Sequence, residues 1–162
     1  MLSDSIPVEI CKGKSLQSML LHNNNLTGNI MEAFKGCKNL TELNLQGNHL
    51  HGEIPQYLSE LPLVSVELSQ NNFTGKLPEK LWESSTLLEI SLGYNQLTGP
   101  IPESIGGLSS LQRLQMDGNY LEGPIPPSIG TLRNLTTLSL HGNRLSGNIP
   151  LELFNCRNQH AL

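Results

Sequence analysis

What most constrains this chain is that it repeats itself. From Leu16 the line LQSMLLHNNNLTGNIMEAFKGCKN is followed by similar lines restarting at Leu40, Leu63, Leu87, Leu111 and Leu135, a period of 24 residues with one repeat of 23. Asn returns at 24, 48, 71, 95, 119 and 143, and Gly follows each by four residues, at 28, 52, 75, 99, 123 and 147. A period of roughly 20 to 50 residues marks a stacked array whose units each bury their apolar face only against a neighbour. The 162 residues would otherwise suit one globular domain. They divide instead into a partial repeat over 1–15, six repeats (16–39, 40–62, 63–86, 87–110, 111–134, 135–158) and the start of a truncated one over 159–162. The excess of Leu (31), Asn (16) and Gly (15) is one unit counted many times.

Each unit opens L-x-x-L-x-L, as in Leu138-Ser139-Leu140, and such alternation predicts a short half-buried strand. One strand per repeat, stacked in parallel, predicts a continuous sheet. The Asn after each strand (Asn24, Asn48, Asn71, Asn95, Asn119, Asn143) stands where the chain turns inward. There its amide is expected to bond backbone groups of adjacent turns, because an unpaired buried peptide group is costly. Leu-x-Gly-x-Ile-Pro follows, as in Leu97-Thr98-Gly99-Pro100-Ile101-Pro102, and predicts a short extended stretch on the flank. Apolar residues four and then seven beyond the Ile (Ile105, Leu108; Ile129, Leu132) predict a helical turn on the convex side.

A net charge of -4 and scattered basic residues exclude a nucleic-acid binder, which needs a basic face to neutralise phosphates. No apolar run reaches the roughly 20 residues of a membrane span, and Met1-Leu2-Ser3-Asp4-Ser5 does not open like a secretory signal. Cys11, Cys37 and Cys156 are odd in number and lack Cys-x-x-Cys spacing, so neither a disulfide framework nor a zinc site is indicated. Cys37 and Cys156 fall in an apolar column and are expected as inert core thiols, whereas Cys11 falls outside the columns and is expected to be exposed. No catalytic motif occurs: Gly13-Lys14-Ser15 lacks the Gly that a phosphate loop needs at position 8, where Val stands. His22 and His141 share a column but lie five repeats apart, about 24 Å at sheet spacing, too far for one metal site. Neither enzyme activity, cofactor nor metal is expected of this segment.

The line L-x-x-L-x-L-x-x-N-x-L-x-G-x-I-P resembles the plant-specific class of leucine-rich repeat over nearly the whole chain. Only Met31 stands where the first full repeat should carry Pro. The stretches LTELNLQGNHLHGEIPQYLSELP and LSGNIPLELFNCRN also resemble the extracellular region of the Multiple Sporocyte or Excess Microsporocytes group of receptor-like kinases. The resemblance implies an α/β leucine-rich repeat solenoid, a right-handed arc with a parallel concave β-sheet and short helical or 3-10 turns on the convex side. It implies a ligand-recognition segment of a receptor-like kinase ectodomain, at the outer face of the plasma membrane or secreted. A peptide or protein ligand and a co-receptor would be its partners, with no nucleic acid and no membrane span in the segment. Two alternatives stand beside it: a soluble extracellular inhibitor like the polygalacturonase-inhibiting proteins, and a truncated product without independent function. The partial repeats at both ends lead one to expect a window cut from a longer array, with apolar core and sheet edge exposed at each end.

Function is expected on the strand positions that point away from the core, which can vary without disturbing it. One column there carries Leu20, Asn44, Glu67, Ser91, Gln115 and Ser139, and the column two residues on carries His22, Gln46, Ser69, Gly93, Asp117 and His141. Glu42, Glu89 and Arg113 stand beside them, with Tyr94 the aromatic of this face. A shallow, mixed polar trough suits an extended peptide better than a small molecule, so Glu67, Glu89, Tyr94, Arg113 and Asp117 are the candidate contacts. The same residue types also suit a merely solvated strand face. Sequons at Asn25, Asn39, Asn72 and Asn134 are the glycosylation candidates.

Overall fold

The computed structural model describes residues 1–13 and 15–156. The truncated repeat start over 159–162 and the end of the sixth repeat lie outside them. Within the described residues the strands Ser18–Leu20, Glu42–Asn44, Ser65–Glu67, Glu89–Ser91, Arg113–Gln115 and Thr137–Ser139 form one parallel sheet in chain order. Their register is uniform: Glu42 stands beside Ser65, Ser65 beside Glu89, Glu89 beside Arg113 and Arg113 beside Thr137. The alternation explains the sheet, since Leu43 and Leu45, Val66 and Leu68, Ile90 and Leu92, Leu114 and Met116 are all completely buried, and the residues between them face outward. Each fully buried aliphatic side chain contributes about 1.5–3 kcal/mol, and each is buried by the repeats above and below rather than by its own.

The flank is more ordered than the sequence pattern implies. Where single extended stretches were expected, His51–Glu53, Asn72–Lys76, Gln96–Pro100, Tyr120–Gly123 and Arg144–Leu145 pair into a second parallel sheet, and Ser3–Ser5 pairs with Asn25–Thr27. Proline does not prevent this, because Pro100 closes its strand and Pro126 and Pro150 lie beyond theirs. The recurring glycine makes the bend, as at Gly99 with φ 79°, where a side chain would be strained.

The convex turns are 3-10 helices: Gln56–Glu60, Glu79–Glu83, Glu103–Gly107, Pro127–Thr131 and Leu151–Asn155. Each follows a proline (Pro55, Pro78, Pro102, Pro126, Pro150) that is held extended as the cap residue, with no N–H to continue the flank strand. Where Met31 replaces that proline, residues 31–36 form turns instead. These helices stack closely. A Cβ on Gly130 would collide with the Glu152 carbonyl oxygen, a backbone atom that can yield only by moving the whole turn. Gly130→Ala is therefore expected to cost about 2–3 kcal/mol or more, at the upper end of overpacking penalties, measured by urea unfolding. An unchanged midpoint would show that the last turn shifts freely.

The cysteine expectation is overturned at two positions. Cys11 is 5% exposed, not on the surface, and is disulfide-bonded to Cys37, with 5.1 Å between Cα atoms. The column reading failed because the bond spans 26 residues, two more than the repeat. Turns closed by Ile10 N–H to the Pro7 carbonyl and Lys12 N–H to the Glu9 carbonyl tuck Cys11 inward, off register. Cys156 is a free, buried thiol whose pKa burial raises.

Candidate functional site

The outward face of the six-stranded sheet is built by the same short strands that build the core. Behind it, each recurring Asn ties the backbone of its own repeat to that of the preceding one. Asn119 Oδ1 accepts the Leu97 N–H at 3.0 Å, and its Nδ2 donates to the carbonyls of Leu92, Met116 and Asp117 at 3.0, 3.1 and 3.2 Å. Asn48, Asn71, Asn95 and Asn143 make the same four-way pattern, each accepting from the preceding repeat (Leu26, Leu50, Phe73, Leu121). Asn24 accepts the Leu2 N–H at 2.8 Å and donates to the Leu21 and His22 carbonyls.

The five candidate contacts divide into two groups. Glu67, Tyr94 and Asp117 line one hollow of about 270 Å³, together with Gln46, Ser69, Gln70, Ser91, Gly93 and Gln115. Glu89 and Arg113 lie side by side in register outside that lining, with Arg113 Nη1 3.7 Å from Glu89 Oε2, both half-exposed. A larger hollow of about 890 Å³ lies elsewhere, among Met31, Lys35, Ile54, Tyr57 and Leu61.

Two features of the hollow escaped the sequence pattern. Asp117, expected on the outward face, is only 7% exposed; among the described residues its carboxylate accepts no hydrogen bond, and His141 Nε2 lies 3.7 Å from it. Gly93 makes room for it, since a Cβ there would lie 3.1–3.2 Å from the carboxylate. The second is the left-handed turn after each strand. Gly47, Gly118 and Gly142 occupy it with φ of 65°, 64° and 67°, but Gln70 and Tyr94 hold φ of 56° and 53°. A bulky residue there is strained by about 1–2 kcal/mol. Comparison down that column, where Gly47, Gly118 and Gly142 share the position with Asn23, Gln70 and Tyr94, was the signal available. Tyr94 is 55% exposed, with its ring edge over Gly118, whose added Cβ would lie 2.8 Å from it.

Glu67 is partly buried, and burial pushes its carboxyl above the ordinary 4.5; Glu89 adds to the rise, while the Ser91 hydroxyl and Arg113 oppose it. A carboxyl that holds its proton more tightly when folded favours folding fully below its unfolded pKa, and this contribution is lost as pH rises through the folded value. Glu67→Gln is therefore expected to raise the melting temperature at pH 7, with the gain disappearing below pH 4.5. Thermal unfolding at the two pH values checks this; an equal gain at both would assign the effect to packing.

The sequons at Asn25, Asn39, Asn72 and Asn134 are all exposed, and Asn134 Nδ2 donates to the Ser109 carbonyl at 2.9 Å. Among the described residues no helix is long and apolar enough to cross a membrane.

Residues 4–50 and 61–121 match the family model "Leucine rich repeat", and residues 134–156 match a second model of the same description. Over 83 residues the chain is 68% identical to rice (Oryza sativa subsp. japonica) "Leucine-rich repeat receptor protein kinase MSL1", covering 51% of this chain and 6% of that one. It is 73% identical over 63 residues to rice "Leucine-rich repeat receptor protein kinase MSP1", covering 39% and 5%. The chain thus spans only a small part of the curated relatives it matches. Its fold superimposes on the Arabidopsis receptor kinase HAESA, solved with the peptide hormone IDA and the co-receptor SERK1. The TM-score is 0.92 at 35% identity, covering 96% of this chain and 26% of that one.

Proposed function

The chain belongs to the leucine-rich repeat family, and on that premise we propose that it is a ligand-recognition segment of a plant receptor-like kinase ectodomain. It would bind a peptide or small secreted protein on the concave strand face, through Glu67, Glu89, Tyr94, Arg113 and Asp117, with a co-receptor as a further partner. The observation that carries the reading is the outward strand face itself: a shallow polar trough holding a strained, exposed Tyr94 beside a buried carboxylate. The superposition on a peptide-bound receptor ectodomain over nearly the whole chain supports it. An extracellular place is supported by the Cys11–Cys37 bond, since disulfides persist in oxidising compartments, and by four exposed sequons. Within this reading the kinase would lie in the parent protein, outside these repeats.

Selection of a displayed library of linear peptides on the purified 162-residue chain tests the face. Binders are expected to lose affinity on the order of 30-fold with Tyr94→Ala or Arg113→Glu, the usual size of an aromatic or arginine anchor. They should be indifferent to Glu103→Lys and Glu152→Lys on the convex helices. Binders with the opposite sensitivity, or no binders, would overturn the proposal.

A further inference from the structure

The strand-face columns carry four carboxylates, Glu42, Glu67, Glu89 and Asp117, against the single guanidinium of Arg113. Arg113 is already beside Glu89, outside the hollow, and among the described residues no basic side chain lines the hollow at all. Its volume of about 270 Å³ falls just below the range for drug-sized ligands and suits one long side chain. Asp117 lines it with a carboxylate nine-tenths buried and short of hydrogen-bond donors. Its oxygens open into the hollow, where an incoming N–H donor can take the place of water.

We propose that the hollow bounded by Glu67, Tyr94 and Asp117 seats a cationic side chain, arginine or lysine, of an extended peptide ligand; this rests on the peptide-recognition reading above. Glu67 and Asp117 stand two strands and two residues apart, about 12 Å between Cα atoms at sheet spacing, so their carboxylates flank an elongated side chain instead of chelating a metal ion. Ser91 stands one strand over from Glu67 in register and lines the same hollow. Tyr94 offers its exposed ring to the cation, as Tyr120 does within this molecule, where the Arg144 guanidinium lies 4.7 Å from the ring centre. The incoming N–H groups supply the donors that Asp117 lacks. Arginine is favoured over lysine, because its fork can meet carboxylate and ring together.

The test uses the same random linear library on the disulfide-oxidised chain. Aligned binders are expected to share one position occupied by arginine or lysine. In a synthetic copy of the best binder, replacing that arginine by citrulline, which keeps the shape and removes the charge, should weaken binding at least about tenfold. The doubly neutral variant Glu67→Gln/Asp117→Asn should lose as much, and on that variant the citrulline exchange should cost almost nothing. Binders that need Tyr94 and Arg113 but show no basic position would overturn the cation seat and leave the peptide-recognition face standing. Additive losses in the cycle would likewise overturn it, because the arginine would then bind elsewhere. If the variant is unstable, the citrulline exchange on the wild-type chain alone decides, and an unchanged affinity refutes the seat. Failure to select any binder would overturn both readings.

Discussion

Breaking the Cys11–Cys37 bond, by Cys37→Ser or by reductant, is expected to cost about 3.5 kcal/mol, the chain-entropy value for a loop of 26 residues. Cys37 is also 2% exposed, so the serine variant adds the cost of a polar group in the core and should be worse than reduction alone. The damage should be local, because a stacked array transmits stability only between neighbours. Amide exchange should quicken in Ser3–Ser5 and Asn25–Thr27, which pair with each other, and stay slow in Ile90 and Leu114 at the array's centre. Urea unfolding with and without reductant, with exchange measured on the same samples, gives both numbers. An unchanged midpoint after thiol titration has confirmed three free cysteines would refute the stapling role. Cys156, free and buried, serves as the internal control, and Cys156→Ala should move the midpoint much less.

The second large effect is expected at Asn119, 3% exposed. Losing its Nδ2 donor is survivable: the Leu92 carbonyl keeps Asn95, the Met116 carbonyl keeps Asn143, and the Asp117 carbonyl keeps the Tyr94 N–H. Losing the acceptor is not, because the buried Leu97 N–H has Asn119 Oδ1 as its partner. Asn119→Ala should therefore cost about 2–4 kcal/mol, one orphaned buried donor plus the lost packing. Asn119→Asp separates the two halves of the amide. It keeps the acceptor for Leu97 but sets a charge against three carbonyl oxygens in the interior, and should cost at least as much at pH 7, with partial recovery in acid as the carboxyl gains a proton. Equilibrium unfolding at pH 7 and pH 4 checks both variants; an aspartate as stable as wild type at pH 7 would mean that water reaches the site.

The residues differ in how much they disclosed on their own. The strand positions of Leu43 and Leu45, and of Ile90 and Leu92, follow from alternation, and the convex turns from the apolar residues four and seven beyond the Ile, as Ile105 and Leu108. The second sheet was not legible, because segments such as His51–Glu53 are too short and too polar for a periodic signal and become strands only by lying beside their copies. Among the candidate contacts, the side-by-side placement of Glu89 and Arg113 follows directly from the repeat. The burial of Asp117 does not, since it depends on the missing side chain of Gly93 one repeat away and on His141 one repeat beyond.

The sequence by itself determined the period, the strand register of the first sheet, the Asn hydrogen-bond column and the Leu core. Equal residues at equal spacing must occupy equivalent positions when the units stack. Tertiary structure alone decided what breaks the period. The disulfide at a separation of 26 residues and the sheltered Asp117 are each set by contact with a different repeat. Such contacts depend on the local shape of the neighbour's turn, which a column of identities does not contain.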